Sequence, residues 1–465
     1  MTDSVCSLPP RLMVSAPASG SGKTVFTCSL IRALQRRSLS VAAFKCGPDY
    51  IDQLFHARTS RAAAGNLDGF YSSDAQIRAL LARGAERRDV AVLEGAMGFY
   101  DGMAPGSDAA STYHVARATQ TPVVLVVPAR GASLTLAATI QGICRFRDDA
   151  GVAAVVLSRV GEGAYRYAKG AIERECGVPV VGFVPQHDAF SLESRHLGLV
   201  GADEVEGLQD RLDAMADIVQ DAVDVGALLD IARSAPRPDV APFVVERMLD
   251  VPLRMAVAFD EAFCFYYEEN LRVLRDLGVE VVEFSPLRDR ALPAGACGLM
   301  LGGGYPELHA ERLSANAPMR DAVARAVLSG MPVVAECGGY LYLNERIADK
   351  EGACRPMVGA LPGGSSRQPS RGRFGYIELE CPPGGLYGDK ALTLRGHEFH
   401  RWQADAEAGD CRASKPGRDR SWSCMSYGAT MAAGFPHVYY PSNIDAARSL
   451  VRAMRRFKES GGDAA

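Results

Sequence analysis

Residues 12–24 read Leu12-Met-Val-Ser-Ala-Pro-Ala-Ser-Gly-Ser-Gly-Lys-Thr24. A short apolar run passes into a loop of small residues that ends on Gly-Lys-Thr, and the stretch 24–37 that follows has a helical apolar period. Strand, small-residue loop and helix in this order make a P-loop. The backbone N–H groups of Ser19, Gly20, Ser21 and Gly22 and the helix N-terminus suit phosphate oxygens. Lys23 suits the terminal phosphates, and the Thr24 hydroxyl suits a magnesium ion. ATP and Mg2+ are the expected ligands. Pro17 takes the place of the usual first glycine.

Around this stretch the same pattern repeats. Apolar runs at 12–16, 41–45, 90–94, 123–128, 152–160 and 180–184 alternate with amphipathic segments such as 24–37 and 75–85. Continuous apolar strands separated by helices predict a parallel sheet covered on both faces, with ligands gathered at the carboxyl ends of its strands. Two acidic loops stand where such a sheet delivers them. Lys45-Cys-Gly-Pro-Asp-Tyr-Ile-Asp52 follows the second run, and Glu94-Gly-Ala-Met-Gly-Phe-Tyr-Asp-Gly102 follows the third. With Thr24, Asp49 and Glu94 are expected to complete a hard, oxygen-rich metal shell. Lys45 is placed to hold a phosphate or a substrate carboxylate.

Ser234-Ala-Pro-Arg-Pro-Asp-Val-Ala-Pro242 is proline-dense and reads as a linker. Beyond it the alternation resumes, with runs at 255–259, 279–284, 298–301 and 333–336 and helices at 265–277 and 319–328. Later segments at 374–380, 391–394 and 431–440 read as antiparallel. The predicted fold class is thus α/β throughout: a P-loop domain at 1–233, a linker at 234–252, a second α/β domain at 253–456 and a flexible tail at 457–465.

The chemistry of the second domain is signalled by Met331-Pro-Val-Val-Ala-Glu-Cys-Gly-Gly-Tyr340. A buried strand runs into Cys337, followed by two glycines and a helix. Small neighbours permit the strained turn of a nucleophile elbow, and the helix N-terminus is expected to favour the thiolate. Leu301-Gly-Gly-Gly-Tyr-Pro-Glu307 closes another strand. The N–H groups of Gly302, Gly303 and Gly304, with Gly338 beside the nucleophile, are candidates to stabilise an oxyanion. A thiol also needs a general base. His397 and His400, in Gly396-His-Glu-Phe-His400, and His437 are the candidates, and spacing does not choose among them. His56 and His196 belong to the first domain and are not expected to serve Cys337.

Composition excludes other classes. The 51 basic and 55 acidic residues leave a net charge of −4, without the field that nucleic acid or an anionic membrane demands. The apolar runs at 123–127 and 152–157 fall well short of the roughly 20 residues of a membrane span, and the first ten residues lack the pattern of a signal peptide. The 12 cysteines include no C-x-x-C pair, which points to reduced thiols and a cytoplasmic location.

In this order, Ser19-Gly-Ser-Gly-Lys-Thr24, Gly47-Pro-Asp-Tyr-Ile-Asp52, Asn66-Leu-Asp68, Glu94-Gly-Ala-Met-Gly98 and Arg195-His-Leu-Gly-Leu199 in the first domain, then Asp260-Glu-Ala-Phe263, Leu301-Gly-Gly-Gly-Tyr-Pro-Glu307, Glu336-Cys-Gly-Gly339 and Gly396-His-Glu-Phe-His400 in the second, resemble the cobyrinic acid a,c-diamide synthase family over nearly the whole chain. The resemblance implies a dethiobiotin-synthetase-like ATP domain followed by a class I glutamine amidotransferase domain of the cobyric-synthase type. The implied activity is ATP- and glutamine-dependent amidation of the a and c acetate carboxylates of cobyrinic acid through acyl phosphates, in cobalamin biosynthesis. The implied partners are small molecules: a tetrapyrrole carboxylate, glutamine and ATP. Carried over, Asp49, Asp52, Glu94 and Asp101 are the acids of the synthetase site, Cys337 is the nucleophile, and His437 is the histidine that activates it. The chain departs from the family pattern at Gln53, Pro128, Ser158, Arg401 and Tyr439. Hydrogenobyrinate and nickel-sirohydrochlorin are alternative substrates that the motifs leave open, as they do a homodimer. A reading of a different class is a P-loop ATPase switch whose second domain only binds.

Overall fold

Val123-Val-Leu-Val-Val127 is apolar at every position, and in the computed structural model every one of these side chains is buried. That pattern requires cover on both faces of a sheet. The structure describes residues 6–60, 64–190, 207–349, 351–368 and 372–462, so the Arg195–Leu199 motif and His196 lie outside the described residues. The chain divides into two compact units, Met1–Val244 and Val245–Ala465.

The first unit is built on a seven-stranded parallel sheet. Its order is Gly65–Leu67, Val41–Cys46, Val90–Glu94, Arg11–Ser15, Val123–Pro128, Val152–Ser158, Val180–Val184. The chain starts in the middle, moves to one side and returns across the first strand to the other. The loop after Arg11–Ser15 therefore opens at the switch of direction, where open α/β sheets bind ligands. Helices Lys23–Arg36, Leu208–Ala222 and Val225–Ser234 contribute to one apolar cluster with the sheet, and Leu134–Arg145 and Glu162–Cys176 to another.

The proline-dense segment expected to be a linker is partly docked on this unit. Asp239–Val240 pairs antiparallel with Cys6–Ser7, and the fully buried Arg11 donates to Pro236 O at 2.6 Å. The same guanidinium serves Thr119 O at 2.6 Å and Pro9 O at 2.9 Å.

The second unit carries a six-stranded sheet in the order Val279–Phe284, Leu253–Ala258, Ala296–Leu301, Val333–Glu336, Met431–Gly434, Ser426–Tyr427. All neighbours are parallel except the last pair. A five-stranded antiparallel sheet runs Ser421–Cys424, Cys411–Ser414, Phe374–Cys381, Leu392–Phe399, His437–Val438.

Three expectations need correction. The segment 431–440 is not one antiparallel strand. Met431–Gly434 joins the main sheet in parallel beside Val333–Glu336, and after Phe435-Pro436 the chain re-enters as His437–Val438 against Leu392–Phe399. Pro436 has no N–H to continue a ladder, which accounts for the break. The helix expected from 265 begins at Glu268, because Phe265 is held in a backbone bridge to Gly303. The last helix, Ile444–Glu459, keeps Phe457 in its buried face, so helix extends into the segment expected to be a tail. Among the described residues no helix is long and apolar enough to cross a membrane.

Arg11→Met would leave the buried Thr119 carbonyl, and those of Pro9 and Pro236, without this donor. It is expected to destabilise the N-terminal unit by about 2–4 kcal/mol, seen as a lower urea midpoint for that unit's transition in the full-length protein. An unchanged midpoint would show that these carbonyls do not depend on Arg11.

Candidate functional site

The P-loop turns where glycine permits it. Gly20 and Gly22 have φ of 74° and 94°, values that suit glycine. Lys23 and Thr24 open the Lys23–Arg36 helix. Lys23 Nζ donates to Ala18 O at 3.2 Å and to Met97 O at 2.5 Å, tying the loop to the segment after Glu94. Ser158 Oγ donates to Ser21 O at 3.0 Å, so the serine that departs from the family pattern braces the loop. Burial, reinforced by the neighbouring Lys45, pushes the Lys23 ammonium down to about 8. Ser19 and Gly20 are exposed at the loop tip.

Glu94 lies at the end of a central strand and is fully buried. Register places it beside Val14 on one side and Lys45 on the other. Its Oε1 accepts from Thr24 Oγ1 at 2.7 Å and from Lys45 Nζ at 2.7 Å, and its Oε2 lies 2.7 Å from His56 Nε2. Burial acts to raise this carboxyl, but Lys45 and His56 prevail and hold it well below the usual range. Lys45 also bonds Asp52, so one buried ammonium bridges two carboxylates. Burial and the neighbouring Asp49 push Asp52 up to about 7, against the pull of Lys45.

Asp49 caps the Ile51–Ser60 helix, its Oδ1 accepting from Ile51 N and Asp52 N at 3.0 Å. Asn66 holds this loop through Gly47 O at 2.9 Å and Asp49 O at 3.1 Å. Asp101 accepts from Gly98 N at 2.9 Å, and a Cβ on Gly98 would lie 2.6 Å from Pro17 O, so the two loops touch. The expected residues Lys23, Thr24, Lys45, Asp49, Asp52, Glu94 and Asp101 therefore gather at one end of the sheet. His56 joins them unannounced.

In the second unit Cys337 has φ 46° and ψ −101°, a strained backbone between strand and helix of the kind a nucleophile elbow requires. Its N–H donates to Gly434 O at 2.7 Å. The surrounding glycines allow backbones to approach without side chains between them. A Cβ on Gly339 would lie 2.1 Å from Leu301 O, on Gly338 2.9 Å from Gly304 N, and on Gly303 2.5 Å from His437 Cε1. Elbow, glycine loop and His437 thus pack together.

His437 and His397 are register partners on adjacent strands, with rings stacked 4.9 Å apart. His397 Nδ1 lies 3.0 Å from the Tyr267 hydroxyl. His400 faces elsewhere, stacked on Phe435 with Nδ1 2.7 Å from Trp402 O. Glu336 is a residue that sequence reading missed. Its Oε2 lies 3.4 Å from His437 Nδ1, and its Oε1 accepts from Val438 N at 3.1 Å. The carboxylate therefore stands at ion-pair distance from the imidazole.

Two expectations fail here. Gly302 N–H donates to the Tyr266 hydroxyl at 2.7 Å, so in this arrangement it does not point at an oxyanion. The Cys337 thiol is not biased towards thiolate; burial first, and then Glu307, pushes it above its ordinary value. The following helix, Gly338–Leu343, is only 6 residues long and its field does not offset that burial.

Residues 12–200 match the family model described as a CobQ/CobB/MinD/ParA nucleotide binding domain, and residues 254–430 match a CobB/CobQ-like glutamine amidotransferase domain. The chain is 37% identical to a cobyrinate a,c-diamide synthase of Syntrophotalea carbinolica over 96% of this chain and 99% of that one. It is 33% identical to one of Priestia megaterium over 98% and 99%, and 36% identical to one of Thermoplasma volcanium over 97% and 98%. The chain belongs to the cobyrinate a,c-diamide synthase family. It is accordingly a glutamine-hydrolysing ligase, with a nucleotide-binding domain first and an amidotransferase domain second. In this family member His437 lies just beyond the matched amidotransferase segment, on the strand that returns after Pro436.

Burial pushes the Glu307 carboxyl from its ordinary 4.5 up to about 7. Between those values the folded protein keeps a proton that the unfolded chain releases, so stability falls as pH rises through that window. Glu307→Gln is expected to remove a loss of up to about 3 kcal/mol, measured as a smaller difference between urea midpoints at acid and alkaline pH than in the unsubstituted protein. Equal differences would show that Glu307 ionises normally.

Proposed function

We propose that this chain amidates the a and c acetate carboxylates of cobyrinic acid, taking nitrogen from glutamine and activating each carboxylate with ATP, in the cytoplasm. The observation that carries the reading is the convergence of the P-loop and both acidic loops on Glu94 in a chain related end to end to cobyrinate a,c-diamide synthases.

A carboxylate resists amide formation because oxide is a poor leaving group. In the N-terminal site a substrate carboxylate oxygen attacks the γ-phosphorus of ATP, the bond to ADP breaks, and an acyl phosphate forms. Ammonia then attacks the acyl carbon, and phosphate leaves with the former carboxylate oxygen. Lys23 and the P-loop N–H groups hold the phosphates during transfer, and Lys45, Asp49, Asp52 and Asp101 orient the substrate end. The donors suit a hard cation, since they are hydroxyl and carboxylate oxygens. Thr24 and Glu94, with Asp49 beside them, would hold Mg2+, which supplies neutralisation of the charge on the phosphoryl group.

In the C-terminal site His437, oriented by Glu336, takes the proton of Cys337. Burial pushes this thiol above its ordinary value, so a base is required to take its proton. The thiolate attacks the glutamine amide carbon, and Gly303 and Gly304 N–H groups, with Gly338, stabilise the oxyanion. Ammonia leaves with the proton from His437, and water hydrolyses the thioester to glutamate.

Cys337→Ala is expected to abolish glutamine-dependent synthesis while ammonia-dependent synthesis continues. His437→Ala is expected to lower glutamine use by ~10²–10⁴-fold, with His397→Ala much milder. Glu94→Gln is expected to remove synthesis with either nitrogen source. Mass spectrometry after incubation with cobyrinate, hydrogenobyrinate or nickel-sirohydrochlorin identifies the substrate by replacement of hydroxyl by amino at two positions. No amidation of any of the three would overturn the assignment, and glutamine use that survives Cys337→Ala would remove the nucleophile.

A further inference from the structure

The helix Ile51–Ser60 presents more to the synthetase site than its acidic start. Asp52 and His56 are four residues apart, on one face of the helix. Asp52 holds Lys45, and His56 holds Glu94, so a single helix grips both partners of the buried Lys45–Glu94 pair. The His56 ring is wholly buried. Its Nε2 lies 2.7 Å from Glu94 Oε2, while Nδ1 has no hydrogen-bond partner among the described residues. With no acceptor at Nδ1, the ring proton belongs on Nε2, where it is donated to Glu94.

A ring present only to fill space would better be phenylalanine, because a buried nitrogen without a partner costs about 1–3 kcal/mol. Among the described residues Glu94 is the one hydrogen-bond partner of the His56 ring, and it is the carboxylate on which the P-loop threonine also depends.

We propose that His56 is a positioning residue for the synthetase reaction: its Nε2–H pins Glu94 Oε2, so that Oε1 stays turned towards Thr24 and Lys45. Without that bond the carboxylate is held through Oε1 alone, and the Thr24 hydroxyl faces a less firmly oriented neighbour beside the phosphates. The proposal rests on the assignment of this unit as the ATP-dependent half. It concerns a residue that touches neither the phosphates nor the tetrapyrrole in that scheme.

The test compares His56→Gln, whose amide nitrogen reaches the position of Nε2, with His56→Asn, which is polar but too short, and with His56→Phe, which keeps the bulk. All are made in the full-length chain and checked for folding by circular dichroism. MgADP affinity by calorimetry and the half-saturating Mg2+ concentration for synthesis are measured, with glutamine hydrolysis as the internal control. The expected result is a ~10–100-fold loss in MgADP affinity or in synthesis rate for His56→Asn and His56→Phe. That loss should appear with glutamine and with ammonia, with a raised Mg2+ requirement, recovery in His56→Gln and unchanged glutamine hydrolysis. Should His56→Phe not fold, the Gln–Asn pair decides alone. Equal MgADP affinity and Mg2+ requirement in the Gln and Asn variants overturns the proposal. If the unsubstituted protein amidates no tetrapyrrole, the functional assignment fails, but the MgADP comparison still decides the role of His56.

Discussion

An ionised carboxylate cannot sit in the interior of a protein without groups that replace its lost water. Glu94 is such a carboxylate, and much of the N-terminal site follows from supplying it. Register brings Lys45 alongside on the neighbouring strand, the P-loop helix supplies the Thr24 hydroxyl, and the Ile51–Ser60 helix supplies His56. Each donor comes from a different element, so the charge on Glu94 fixes the spacing of those elements at the carboxyl edge of the sheet. Lys45 also faces Asp52, and through Glu94 it joins the first acidic segment to the second. The side chains gathered at this edge form a cluster of opposite charges.

The second unit solves a different problem. A thiol, an imidazole and backbone N–H groups must meet in a space that ordinary side chains would fill. Here packing replaces charge as the constraint. Gly303, Gly338 and Gly339 let three segments approach closer than a Cβ allows. The strained Cys337 backbone is held by its bond to Gly434 and by Gly339 N–H on Gly302 O at 2.9 Å. Burial pushes the thiol above its ordinary value, and Glu336 lies at ion-pair distance from the His437 ring.

Most of this architecture was legible in the sequence because the relevant signals are local. A P-loop, an acidic turn after a strand and a cysteine between strand and helix each announce themselves within ten residues. The contributions that escaped notice depend on contacts distant in sequence. His56 sits inside a helix and looks like any core residue until Glu94, 38 positions away, is placed against it. Glu336 reads as the polar end of a strand, and its partner His437 arrives only after Pro436 diverts the chain into another sheet. The loss of the Gly302 N–H to the Tyr266 hydroxyl was likewise invisible, since it depends on a ring from 36 residues upstream. The thiolate expectation failed for a related reason: local sequence names the helix behind Cys337 but not how deeply the sulfur is buried.

Phosphorylation of a carboxylate at the N-terminal cluster, as proposed above, can be traced through its oxygen atoms. The direct measurement uses cobyrinate with its acetate carboxylates labelled with heavy oxygen, incubated with ATP and glutamine, followed by mass analysis of the phosphate released. The expected result is that one labelled oxygen passes from each amidated carboxylate into inorganic phosphate. Amide formation that leaves the released phosphate unlabelled would contradict it.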